Sequence, residues 1–357
     1  GRVKWPCYNW SGFCFSSWNP NVGREGYIQE KGIFVFYGRS ILNHFEEMSG
    51  IAWVRNVGEA LRRSRQTGKP VFLLFIEAPG CDVCGQFGKR VLGNDRLAEA
   101  IETLFVPCLV NKLGLSAMDR DASVRFKENK NGNPIVRFFD SQEHELIRRK
   151  SNLWYGYEIA SRMETVLRRF NGCNGCPEWF SEFRRELDLN YIARTRRSHV
   201  ERAIFVVDDY FMGQSAVGRL ALPEHGSYPI ISTRCSHFDL LKTVEVKFDS
   251  SQMPFPALLE LVKTHVKELK CTVPIDPIQL RISLEIFGMQ KTCLILRKNN
   301  NLMNSKVDAK MIQNYYVTCL PYEVQFILSE RQRLLVNAAI VSRAGDQWKD
   351  ILSPRQR

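Results

Sequence analysis

An uninterrupted apolar run, Val71-Phe-Leu-Leu-Phe-Ile76, followed five residues on by Cys81-Asp-Val-Cys84, constrains this chain more than any other feature. Six apolar residues without polar alternation read as a strand covered on both faces. A turn through Ala78-Pro79-Gly80 leads into the cysteine pair and a helix expected to reach Val91. A thiol at the start of a helix meets unpaired backbone N–H groups and the positive end of the dipole, which favours thiolate. A second thiol one turn later is placed to resolve a mixed disulfide. Cys81 is therefore the candidate nucleophile and Cys84 the candidate resolving thiol.

The segments around this pair build an α/β order. Val57 to Thr67 is helical, with Ala60, Leu61 and Ser64 on one face and Gly68 as the stop. Asn94 caps a second helix from Asp95 to Thr103, and Phe105 to Val110 is a further buried strand. Ile135 to Asp140 and Glu145 to Arg149 flank a polar turn and read as a hairpin. Trp154 to Phe170 is helical, with Ile159, Met163, Val166, Leu167 and Phe170 apolar. Strands alternating with helices and then a hairpin make an α/β sandwich.

The residues around the pair resemble the thioredoxin-like branch that has a helix before its first strand. The resemblance rests on Trp53, Ala60, Leu61, Gly68-Lys69-Pro70, Cys81-x-x-Cys84, Phe105-Val106-Pro107 and Gly132-Asn133-Pro134. It implies that Pro134 is a cis-proline facing the redox pair. Two departures stand out. Gly80 replaces the frequent Trp before the first cysteine, and Phe75 replaces the buried acid of thioredoxin, which leaves Glu77 as the nearest carboxylate and a substitute base.

The second half reads as α+β. Ala203 to Val207 is a buried strand and Thr243 to Phe248 a half-exposed one. Pro256 to Leu269 reads as an amphipathic helix, Leu280 to Phe287 and Thr292 to Leu296 as strands, Lys298 to Ser305 as a loop, and Gln332 to Val341 as a helix. Ala203-Ile-Phe-Val-Val-Asp-Asp-Tyr-Phe-Met-Gly213 resembles the first strand and active-site turn of methionine sulfoxide reductase A. Ile230 to Arg234, Thr243 to Asp249, Phe255 to Leu261 and Phe326 to Glu330 add to the resemblance. The family's nucleophilic cysteine falls on Asp209, its aromatic pair on Tyr210 and Phe211, its acid on Gln214, and its late glutamate on Glu330. Aspartate cannot form the sulfenic intermediate. The resemblance thus implies a degenerate site without sulfoxide reduction, in which the aromatic pair either binds an apolar side chain or belongs to the core. Cys235 lies in what reads as an altered loop, Ser232 to Phe238.

The remaining features set boundaries. Residues 1–50 form an aromatic-rich extension, 51–171 the thioredoxin-like domain, 172–200 a linker, 201–345 the reductase-like domain and 346–357 a tail. The linker holds a second pair, Cys173 and Cys176, which reads as a disulfide shuttle or a structural loop pair. A four-thiolate zinc site with Cys81 and Cys84 is the competing reading. No cofactor is implied, and the six histidines show no metal spacing. No apolar run reaches the roughly 18 residues that span a bilayer, so a soluble location, cytoplasmic or in an organelle matrix, is expected.

Two functions fit. One is thiol–disulfide exchange on a protein partner, with the second domain selecting that partner. The other is a non-enzymatic subunit of a large protein or RNA-containing assembly. The net charge of +12, with clusters at Arg62, Arg63 and Arg65, at Arg148 to Lys150, and at Arg194, Arg196 and Arg197, suits that second role.

Overall fold

The computed structural model describes residues 50–357 apart from 78–80, 115, 129–131, 171–174, 197–198, 239–240, 268, 297–316, 318–319, 321 and 344–345. The proposed N-terminal extension, Cys173 and the Lys298–Ser305 loop lie outside the described residues. Among the described residues, no helix is long and apolar enough to cross a membrane.

The first half opens with α1 (Val57–Thr67), fixed at both ends by its sequence. Asn56 accepts the Glu59 N–H at 3.0 Å, and Gly68 closes the helix in the left-handed region at φ 68°. β1 (Val71–Ile76) follows, then α2 (Asp82–Phe87), α3 (Asp95–Leu104), β2 (Val106–Asn111), α4 (Ala117–Arg125), β3 (Ile135–Phe139), β4 (Glu145–Ser151) and α5 (Gly156–Phe170). The sheet order is β2-β1-β3-β4, with β1 parallel to β2 and antiparallel to β3. All six residues of β1 are buried, as its unbroken apolar run requires. Phe72, Leu74 and Ile76 pack into one core with Phe105, Phe138 and the α5 face. Val71, Leu73 and Phe75 face the other way, against Ala60, Leu61 and Ala122. The helix begun at Asp82 does not run on regularly to Val91. Residues Gly88–Leu92 continue it as a π-helical turn before Asn94 caps α3.

A long helix, α6 (Glu178–Thr195), joins the halves. Its Trp179, Phe180 and Phe183 are buried in the first core, while its Glu182 meets Arg331 of the second half at 2.9 Å. The second sheet is antiparallel throughout, in the order β6 (Ile230–Phe238), β7 (Leu241–Asp249), β5 (Val200–Val207), β8 (Leu269–Val273). Helices α7 (Tyr210–Arg219), α8 (Phe255–His265) and α11 (Glu330–Ser342) cover one face; α9 (Pro277–Leu296) and α10 (Tyr322–Ile327) complete the described helices longer than one turn.

Three sequence-based expectations are corrected here. Leu280 to Phe287 and Thr292 to Leu296 are not strands but parts of α9, broken only at Gly288, which sits at φ 76°. The helix start was written in Asp276-Pro277: Asp276 accepts the N–H groups of Ile278 and Gln279 at 2.8 Å, and Pro277 needs no N–H in the first turn. The helix expected to reach Leu269 ends at His265, and Leu269 instead opens edge strand β8. Ser232 to Phe238 is not a loop but most of β6, paired along its length with β7. Helix α4 had no counterpart in the sequence reading, because its apolar residues are too few for a clear period.

Candidate functional site

Cys81 stands at the N-cap of α2 with extended backbone, and its Sγ accepts the Cys84 N–H at 3.4 Å. Cys81 is half-buried and Cys84 fully buried, and both are free thiols. The Cys84 Sγ accepts the Glu77 N–H at 3.4 Å. Burial and the hydrogen bond with Cys81 push the Cys84 thiol up to about 12, although the Glu77 N–H pulls the other way. One residue of the pair is thus partly exposed, and its buried partner is held as a thiol.

The strand ends behind the pair carry the rest of the site. Phe75 pairs with Ile135 across β1 and β3, which sets Pro134 level with the end of β1 that leads to Cys81. The Asn133–Pro134 peptide bond is cis. Lys112, one residue past β2, has its side chain almost wholly buried; its Nζ lies 3.4 Å from Glu77 Oε1 and donates to Asn133 Oδ1 at 3.1 Å and to the Gly132 carbonyl at 3.3 Å. One ammonium therefore bridges the exit of β1 and the turn that holds the cis-proline. Sequence reasoning found Glu77 and missed Lys112. The signal was the parallel register: Ile76 pairs with Asn111, so the next residues on each strand, Glu77 and Lys112, fall side by side.

A match between residues 52–141 and a family model described as thioredoxin-like decides the fold of this region. Residues 52–141 form a thioredoxin-like domain. A solved DsbH oxidoreductase is similar to the chain at 19% sequence identity, over 33% of this chain and 85% of that chain, with a TM-score of 0.29. No curated protein matches the chain.

The remaining candidates have partners of their own. Cys176 is half-buried against the first core, and its Sγ is 3.2 Å from Ser181 Oγ; burial raises its thiol above the ordinary range. In the second half, Asp209 is the N-cap of α7, accepting the N–H groups of Phe211 and Met212 at 2.9 Å. Tyr210 and Phe211 meet edge to face with ring centroids 4.2 Å apart, and Tyr210 also packs against the second core. Gln214 is fully buried and donates to the Thr233 carbonyl at 3.2 Å. Glu330 lies at the start of α11, within 3.3 Å of Arg234. Cys235, on β6, donates its S–H to the Tyr210 carbonyl at 3.3 Å, and burial pushes its thiol up to about 12. Among the described residues, no group of three or more His, Cys, Asp or Glu side chains could hold a metal ion.

Proposed function

We propose that the chain is a thiol–disulfide oxidoreductase acting on a protein partner through Cys81 and Cys84. The observation that carries this reading is the pairing of a half-buried Cys81 at the helix start with a buried Cys84 one turn later. The Cys81 thiolate attacks one sulfur of a partner disulfide, forming a mixed disulfide and releasing the other partner sulfur as a thiolate. Cys84 then loses its proton and attacks Cys81 Sγ, which frees the second partner thiol and leaves Cys81–Cys84 oxidised. Two electrons pass from the dithiol to the partner, and the reverse sequence oxidises a partner dithiol.

The Cys84 proton needs an acceptor, because burial holds that thiol up. Glu77, whose backbone N–H meets the Cys84 sulfur, carries the candidate carboxylate, and Lys112 holds that carboxylate and the Asn133–Pro134 turn together. In this reading Glu77 takes the proton and Pro134 meets the partner chain beside the thiol pair. The second half then serves to bind the partner as a degenerate relative of methionine sulfoxide reductase A. That assignment draws on Asp209 where the nucleophile would stand and on the paired rings of Tyr210 and Phe211. This scheme assigns no step to Cys173 or Cys176.

The test is a trap. Cys84→Ser in the full chain, mixed with a model disulfide protein, should accumulate a mixed disulfide at Cys81 that reductant releases. Cys81→Ser should give none. Equal trapping by both variants, or no adduct and no disulfide reduction by the unmodified chain, overturns the reading.

A further inference from the structure

A cavity of about 800 Å³ opens beyond the other end of the helix that begins at Cys81. Its walls come from the π-helical turn, the start of α3, the turn into α5 and the last turns of α6. Pockets of roughly 300–1,000 Å³ suit a single small organic ligand.

The lining has an uncommon chemistry. Lys89, Arg90 and Arg194 contribute cations, and none of the lining residues is Asp or Glu. Trp154 is 45% exposed and Tyr155 46%, so two large rings present open surface at the mouth. Tyr157 and Tyr191 stand behind them, with the Tyr155–Tyr191 and Tyr157–Tyr191 centroids 4.8 Å and 4.4 Å apart. Three of the carboxylates that neighbour lining residues in the chain are engaged by other groups, while Asp95 beside Asn94 is exposed. Glu158 turns back to accept the backbone N–H groups of Trp154 and Tyr155 at 3.0 Å and 3.1 Å, which fixes the turn bearing both rings. Asp188 pairs with Arg184, and Glu186 holds Arg96 at 2.7 Å.

Open aromatic faces bind planar rings, and a basic rim without carboxylates selects an anion. The same rim turns away cationic ligands, which an aromatic cage would otherwise attract. A planar ring joined to a phosphate meets both demands at once. We propose that this cavity binds a nucleotide, with its base stacked on Trp154 and Tyr155 and its phosphate held by Arg90 and Arg194. Asn190 and Gln86 supply amides at the wall for the polar edge of the base. The site is separate from the thiol pair, and its occupancy does not depend on redox activity there.

Calorimetric titration of the full chain tests this with four ligands: AMP, ATP, adenosine and inorganic phosphate. AMP and ATP should bind one to one, and adenosine and phosphate at least tenfold more weakly, because each engages only half of the site. Tyr155→Ala should weaken AMP by about five- to a hundredfold, as loss of one base-stacking ring does. Arg90→Glu with Arg194→Glu should abolish binding at millimolar AMP. All these positions are exposed, so unchanged circular dichroism and unchanged alkylation of Cys81 will verify that the variants fold. A short oligoadenylate that binds at the AMP level and responds to Tyr155→Ala shows that the same site accepts a nucleotide at a strand end. Oligonucleotide binding that grows with length and ignores Tyr155→Ala reveals only surface charge and overturns the proposal. So does the absence of AMP and ATP binding.

Discussion

The Arg331 guanidinium and the Glu182 carboxylate meet at 2.9 Å with both side chains 3% exposed, and they tie α11 of the second half to α6. Arg331 also donates to the Ile230 carbonyl at 2.6 Å, so the cation is held by both the second sheet and the connecting helix. Burial pulls Arg331 below its usual range, and Glu182 offsets only part of that pull.

Removing one partner strands the other charge out of water. Glu182→Ala is therefore expected to cost about 3–5 kcal/mol, lowering the melting temperature by roughly 10 °C. Replacing both residues, Glu182→Leu with Arg331→Met, should recover much of that loss. Thermal unfolding of the three variants checks it: a double variant no better than Glu182→Ala rules out the stranded charge as the cause.

Two fully or nearly buried thiols set a second expectation. Burial pushes Cys108 and Cys235 each up to about 12, against about 8.5 in an unfolded chain. A thiol whose proton is held more tightly in the folded state stabilises that state below the unfolded value. The contribution is lost as pH rises from about 9 towards 12, because unfolding then releases a proton at each site. Urea unfolding at pH 8 and at pH 10.5 should show lower stability at the higher pH, with a smaller decline in Cys108→Ala. An identical decline in that variant removes Cys108 from the account.

Exposure ranks the two redox thiols, and burial adds a raised proton affinity at Cys84. Cys81 is half-buried, whereas Cys84 is buried and raised to about 12. Limiting iodoacetamide at pH 8 should label Cys81 well before Cys84, as peptide mass mapping will read. Glu77→Gln should leave that labelling unchanged and slow release of the mixed disulfide by about a hundredfold or more, the size expected for loss of a general base. Slower attack by Cys81 with unchanged release would assign Glu77 a different role.

Asp209 gives a test in the second half. It caps α7 through two backbone N–H groups, so Asp209→Ala should cost about 1 kcal/mol. Asp209→Asn retains an acceptor and should cost less, a ranking that denaturant midpoints resolve. If alanine proves harmless, capping is not what keeps an aspartate there.

Much of the first half was legible because its signals are local. Asn56 and Gly68 delimit α1, Asn94 starts α3, and the apolar run of β1 demands cover on both faces. The pair at Cys81 and Cys84 could be read for the same reason, since three residues along one helix start fix their relation. Lys112 could not be read alone, because its meaning depends on a strand 30 or more residues earlier in the chain. In the second half Leu280 to Phe287 offered both a strand's β-branched residues and a helix's period, and the cap at Asp276 was the deciding sign.

By itself, then, the sequence determined the elements whose caps, periods and turns lie within a few residues, together with the thiol pair placed on one of them. Tertiary structure alone decided that Leu269 opens an edge strand, that Arg331 finds Glu182, and that Trp154, Tyr155, Arg90 and Arg194 share one cavity. The physical reason is range. Capping and periodicity act over one or two turns, while strand edges, buried ion pairs and cavities exist only once distant segments have been brought into contact.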